Sequence, residues 1–254
     1  MSCGPTCNTC SSGKVANLER LGVDTGRADF VVALAGNPNT GKSTIFNALT
    51  GLRQHTGNWP GKTIARAEGA FSYAGKRFKV VDLPGTYSLL SASQDEEIAR
   101  DFILFGQPDV TVVVADATRL ERNLNLVLQV LQITDEVVVC VNLIDEAKAH
   151  GLTVDCRGLA RDLGVPVVPT AARQGEGIEL LLKEMFGVAS GETACRPHRL
   201  NYELPGLRGA MEKLTAQLRQ SYPNLRHAEW IALRLLEGDA RIVDAVASGE
   251  LAEA

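Results

Sequence analysis

The stretch GNPNTGKST, from Gly36 to Thr44, constrains the fold of this chain more than any other. Its spacing, Gly36-x4-Gly41-Lys42-Ser43, works only where a strand runs into the loop and a helix runs out of it. Glycines let backbone N–H groups curl around phosphate oxygens, and the helix N-terminus behind them adds positive potential. Both flanking elements are legible. FVVALAG (30–36) is the short apolar run of a buried strand, and STIFNALTG continues as a helix with Gly51 as its stop. Lys42 is placed to neutralise β- and γ-phosphate oxygens and the Ser43 hydroxyl to ligate Mg²⁺. The expected nucleotide contacts of the loop are therefore Gly36, Asn37, Pro38, Asn39, Thr40, Gly41, Lys42, Ser43 and Thr44.

Beyond the loop the same alternation continues. FSYAGKRFKVVDLPG reads as a hairpin turning at Ala74-Gly75, and 110–117, 136–145 and 165–170 are three more apolar strands. Helical patterns fill 95–105, 120–133, 155–163 and 177–186. Strands alternating with helices predict an α/β fold: a Ras-like, mostly parallel sheet with helices on both faces and its ligand at the strands' carboxyl ends. After Phe186 a linker-like composition gives way to helix alone. Leu207, Met211, Leu214 and Leu218 share one face, and HAEWIALRLLEG and DARIVDAVASG follow. The expected division is an extension (1–28) outside the core, a G domain (29–190) and a small all-α domain (195–254).

Three further motifs fall at strand ends. Asp82 in DLPG can hold Mg²⁺ through water, and the Gly85 N–H can meet a γ-phosphate. Asn142-Leu-Ile-Asp145 reads the base. Guanine offers two adjacent donors that one carboxylate accepts together, whereas adenine leaves that carboxylate desolvated and unpaired, which selects GTP over ATP. Thr170-Ala171-Ala172 fits the last guanine loop, where a backbone N–H reaches the base oxygen. The Mg²⁺-binding threonine of the first switch lies between the loop helix and the hairpin; Thr63 is the leading candidate and Thr56 its competitor. Such a loop orders around a γ-phosphate and releases when it leaves.

Charge narrows the partners. With a net charge of −4 and no basic block, the chain lacks the electrostatic footprint of a DNA-binding protein, and RNA binding is disfavoured with it. No secretory leader and no apolar run of membrane-spanning length appears, so the chain as given reads as cytoplasmic.

GNPNTGKSTIFNALTG, GNWPGKT, DLPGTYSL and NLIDEA, taken together, resemble the cytoplasmic GTPase domain of the ferrous-iron transport protein B family, and EWIALRLLEGD resembles the helical domain that follows it. The likeness runs in order from residue 30 to residue 254. It implies a GTP/GDP-binding, slowly hydrolysing G domain with a helical domain that strengthens GDP binding or relays switch state. It also implies a membrane-embedded Fe²⁺ transport region on the same polypeptide, at the cytoplasmic face of a bacterial inner membrane, so the chain is expected to be a fragment. Homo-oligomers are possible in such a system. A stand-alone GTPase of tRNA modification or ribosome assembly is the competing reading. A scaffold without meaningful hydrolysis is a third.

The resemblance also bears on catalysis. Ras-like proteins place a water-orienting glutamine directly after DxxG; here Thr86 stands there, and Gln94 is too remote. No arginine finger is evident, and Arg53 and Arg66 read as solvated. Asn39 matches the loop asparagine of potassium-activated relatives, where K⁺ is held by that side chain and by switch carbonyls, here Asn58 and Trp59. The catalytic set is then Asn39, Lys42, Thr63 and Gly85, with GTP/GDP, Mg²⁺ and K⁺ as ligands. The plainer role for Asn39, and the only one assigned to Asn37, is loop geometry.

Cys3-x3-Cys7-x2-Cys10 has the spacing of a radical-SAM triad, but the rest of the chain is committed to another fold. Three thiolates could hold Fe²⁺, Zn²⁺ or a cluster with a fourth ligand such as Cys195 or His198. A redox-exposed tail is the preferred reading.

Overall fold

The computed structural model describes residues 11–51, 54–90, 93–199, 206–223 and 225–252. Among them, seven strands form one sheet: β1 (Phe30–Gly36), β2 (Gln54–Asn58), β3 (Ala65–Tyr73), β4 (Lys76–Asp82), β5 (Val110–Asp116), β6 (Val137–Asn142) and β7 (Val167–Pro169). Their order is β2-β3-β4-β1-β5-β6-β7. Strands β4, β1, β5, β6 and β7 run parallel, and β3 and then β2 add antiparallel to one edge.

Helices cover both faces because the strands bury both. In β1, Val31, Ala33 and Ala35 join one apolar cluster while Val32 and Leu34 join the other. β6 repeats the alternation, with Val137, Val139 and Val141 on the first face and Val138 and Cys140 on the second. A period of two with no polar face is the pattern of a covered parallel sheet. Helices α2 (Lys42–Thr50) and α7 (Ile178–Ala189) pack on the second face. Helices α1 (Ser11–Arg20), α3 (Gln94–Gly106) and α4 (Leu120–Ile133) supply residues to the first. Ser93 caps α3 by accepting the Glu96 N–H at 3.3 Å, and the acidic first turn suits that helix's dipole. Helices α5 (Ile144–Ala149) and α6 (Cys156–Leu163) connect β6 to β7.

Helices α8 (Leu207–Ser221), α9 (Ala228–Leu236) and α10 (Ala240–Ser248) make the all-α part, closed by a short 3₁₀ turn at Glu250–Ala252. Trp230, Ile231, Ile242 and Leu251 belong to the same apolar cluster as the first sheet face. A buried ionic network adds to this contact. Arg100 on α3, fully buried, donates to Asp239 at 2.8 Å, and Arg241 on α10 donates to Asp101 at 2.8 Å and to Glu250 through both terminal nitrogens.

The structure differs from the sequence reading in four places, the first being that the strand expected over 136–145 ends at Asn142 and Ile144–Ala149 is the helix α5. Segment 11–28 is not outside the core: Leu18 and Val23 are buried at 3% and 0% exposure. Burial of two such aliphatic side chains, at about 1.5–3 kcal/mol each, ties the segment to the domain. The polar run at β2 forms an edge strand. The supposed linker begins as the last turn of α7, and Cys195 packs against both apolar clusters.

Candidate functional site

Register brings the motifs together. Leu34 pairs with Asp82, Gly36 with Val114, Asp116 with Asn142 and Val141 with Pro169. The carboxyl ends of β4, β1, β6 and β7 therefore present Asp82, the phosphate loop, Asn142 and Thr170 along one edge of the sheet.

The loop leaves β1 at Gly36 and enters α2 at Lys42. Gly41 sits at φ +81°, and a Cβ there would lie 2.3 Å from the Asn142 side-chain nitrogen, so no larger residue fits. Asn39 adopts φ +65°, a conformation asparagine tolerates better than most residues. The Thr40 hydroxyl donates to the Asn37 carbonyl at 3.0 Å. Asn37 is buried at 3% exposure with its side-chain nitrogen unpartnered.

Lys42 donates to the Asp82 carboxylate and, at 2.7 Å, to the Leu83 carbonyl. Burial pushes the Asp82 carboxyl above the usual carboxylate range, and the Lys42 ammonium offsets part of that rise. Gly85 packs against Pro38, where a Cβ would be 3.4 Å from the Pro38 backbone. Thr86 is buried at 4% exposure and its N–H reaches the Gly36 carbonyl at 3.3 Å. Ser43 is exposed in the first turn of α2.

At the base end, Asn142 acts as a bracket. Its nitrogen donates to the Thr40 carbonyl at 3.0 Å, and its oxygen accepts from the Thr170 hydroxyl at 3.1 Å and the Ala172 N–H at 3.2 Å. Cys140 continues the chain to Thr170 at 3.2 Å, and burial raises its thiol pKa to about 12. Leu143 takes φ +64°, a strained geometry for a side chain of its size, at the residue that opens α5. Asp145 accepts from Gln174 at 3.0 Å, a partner that no sequence motif announces. Asn39, Gly41, Thr44, Leu143, Asp145 and Ala172 border a cleft of about 230 Å³. A larger hollow of about 490 Å³ lies beside α8 and α9, lined by residues such as Met211 and Trp230, but it gathers none of the phosphate or base motifs.

Two segments are arranged differently from what is expected around a bound nucleotide. The N–H groups of Thr170, Ala171 and Ala172 are all engaged, with Val141, Glu176 and Asn142, so none stands free for a base oxygen. The first-switch segment forms β2 and a turn whose Thr63 is exposed, while Trp59 is buried at 3% against Phe102. The Trp59 carbonyl accepts the Lys62 N–H at 3.0 Å. Thr56 and Asn58 lie within β2, both exposed. Gln94 opens α3.

Cys3, Cys7, Cys10 and Arg53 lie outside the described residues. Cys195 and His198 are engaged elsewhere, with the Val137 and Asp162 carbonyls. Among the described residues, no three His, Cys, Asp or Glu side chains group to hold a metal. No described helix is long and apolar enough to cross a membrane.

The sequence profile described as ferrous iron transport protein B matches residues 30–185. The Fe(2+) transporter FeoB of Salmonella typhimurium is 40% identical over 228 residues, which is 88% of this chain and 29% of that protein. The chain thus spans under a third of the length of such curated relatives. The cytosolic domain of the T. maritima FeoB iron transporter in apo form aligns with a TM-score of 0.77 at 37% identity, covering 86% of this chain and 85% of that one. The same domain has been solved in GDP and GMPPNP forms. The cytosolic domain of L. pneumophila FeoB aligns at 0.78 with 34% identity, covering 87% of each chain. These matches do not favour a stand-alone RNA-modification or ribosome-assembly GTPase. With the profile matching residues 30–185 and a relative 40% identical over 88% of the chain, the chain belongs to the ferrous iron transport protein B family.

Proposed function

We propose that this chain is the GTP-binding and GTP-hydrolysing module of a longer ferrous-iron transporter. Its membrane-embedded transport region would follow on the same polypeptide, at the cytoplasmic face of the inner membrane. The observation that carries the reading is that adjacent strand ends set the Lys42–Asp82 pair and Asn142 along one edge of the sheet, with Asn142 and Asp145 lining a cleft beside the phosphate loop.

In that reading Lys42 exchanges Asp82 and the Leu83 carbonyl for β- and γ-phosphate oxygens. Gly36 to Thr44 cradle the phosphates, and Gly85 donates its N–H to the γ-phosphate. Asp145 leaves Gln174 and accepts both guanine donors. Asn142 keeps the phosphate loop and the Thr170-Ala171-Ala172 loop in one frame. A backbone N–H of that last loop reaches the base oxygen after giving up its present acceptor.

The Ser43 hydroxyl and Asp82 carboxylate are hard oxygen donors suited to Mg²⁺, with Thr63 joining them when the switch loop closes. Mg²⁺ held by these residues would offset negative charge on the triphosphate. Asn39 borders the cleft and offers a side-chain carbonyl for K⁺, with the Asn58 and Trp59 carbonyls as companions. The Trp59 oxygen keeps a second lone pair beside its bond to Lys62. A monovalent cation there supplies the positive charge that an arginine finger brings elsewhere. Thr86, buried and tied through its N–H to Gly36, replaces the water-orienting glutamine with no equivalent reach.

Calorimetric titration with GDP and ADP tests the base-reading half. GDP should bind at least about 100-fold more tightly than ADP, since the unpaired Asp145 carboxylate penalises adenine. Equal affinities would contradict the assignment.

A further inference from the structure

The turn between β2 and β3 carries Thr63, and one side chain, Arg66, joins this turn to both β3 and the α1 segment. Arg66 lies in β3 just beyond it. Its guanidinium carbon stands 5.3 Å from the Trp59 ring centroid, its Nε lies 2.7 Å from Glu68 Oε1, and its Nη1 donates to the Leu21 carbonyl at 3.2 Å. Glu68 is in turn paired through its other oxygen with Lys79. Trp59 packs edge-on against Phe102 of α3, with ring centroids 5.7 Å apart. Lys62 pairs with Glu97 on the same helix at 3.3 Å.

The Leu21 carbonyl belongs to the segment that ends α1, and this segment presses on the turn directly. Gly22, at φ +78°, closes the helix, and a Cβ there would stand 2.6 Å from Pro60 Cγ and 2.8 Å from Arg66 Nη1. Leu18 and Val23 seat the segment in the core that also contains Trp59. None of it belongs to the region matched by the family profile, which begins at residue 30.

We propose that Arg66 is a positioning residue for the switch: it pins the turn bearing Thr63 to the α1 segment, and so sets how readily that turn closes over a triphosphate. The proposal rests on the nucleotide-site reading above. Only a γ-phosphate gives the closed turn something to bind, so the pinned position taxes triphosphate binding and leaves diphosphate binding alone. The sequence reading of Arg66 as a solvated side chain is replaced by that of a clasp.

The test compares GMPPNP and GDP affinities of the full chain for wild type, Arg66→Ala, Arg66→Lys and Leu18→Ala. Arg66→Ala and Leu18→Ala loosen the clasp from opposite sides, and each should shift the ratio toward GMPPNP by about 3–10-fold. Arg66→Lys keeps a charge for Glu68 but lacks the planar fork, and should fall between them and wild type. It carries the test should either alanine variant not fold. In a Trp230→Phe background, Trp59 emission should shift to longer wavelength on GMPPNP addition, and further in Arg66→Lys than with Arg66 intact. An unchanged ratio, or equal losses for both nucleotides, would overturn the clasp while leaving the site reading standing. Wild type that binds neither nucleotide would instead sink the site reading.

Discussion

In the proposed site, base choice turns on Asp145, and its geometry makes a sharp expectation. Replacing it with asparagine exchanges an acceptor pair for an acceptor and a donor. Xanthine carries a carbonyl where guanine carries its 2-amino group, so Asp145→Asn should lose GTP affinity by about 100-fold or more and gain XTP affinity. Competition binding with GTP and XTP checks this, and retained GTP preference would remove Asp145 from the base site. The motif marks Asp145 as the candidate because guanine's two adjacent donors call for a carboxylate. Asn142 was legible in position but not in role. Its work is internal, bracketing Thr40 to Thr170 and Ala172, and only the structure shows those partners. Gln174 was not legible at all, since an exposed amide two residues past a loop carries no pattern. Arg66 was misread because charge alone says "surface", whereas its neighbours Trp59 and Glu68 hold it half-buried.

At the scale of elements, periodicity marked the central strands and most helices because they bury regular faces. FVVALAG became β1 over Phe30–Gly36, and the stretch expected to be helical over 120–133 is α4. What escaped has no such face. QHTGN in β2 is polar and holds a glycine, and it is a strand only because β3 offers an open edge. The hairpin turn was placed at Ala74-Gly75, and both residues adopt positive φ, +48° and +76°. Alanine is an expensive choice there. Ala74→Gly should stabilise the chain by about 1 kcal/mol, the reverse of glycine's usual effect, because it relieves a left-handed Cβ clash. Urea unfolding monitored by circular dichroism checks it, and a destabilised variant would show that the turn relaxes differently from the structure.

Over the whole molecule, the helical tail is joined to the G domain by apolar packing and by the ionic network around Arg100. Desolvation is the largest influence on Asp101 and pushes its carboxyl upward, while Arg241 and Arg100 pull it down. Removing one partner from such a network costs more than the network adds, since a buried charge is stranded. Asp239→Ala should therefore cost about 3 kcal/mol in urea unfolding. Asp239→Asn, which keeps the α10 cap to the Ile242 N–H and an acceptor for Arg100, should cost about half that. Equal costs would assign the whole loss to the charge, and a near-neutral Asp239→Asn would assign it to the cap. This joint was not legible, because α3 and α10 are remote in sequence and their charged residues look like solvated faces. The central claim, a GTPase whose missing glutamine is offset by a potassium ion at Asn39, meets its most direct test in GTP turnover by the purified chain in KCl and NaCl at matched ionic strength. Turnover should be several-fold faster in KCl, with the difference abolished in Asn39→Ala; equal rates in the two salts, or undiminished stimulation in the variant, would contradict the account.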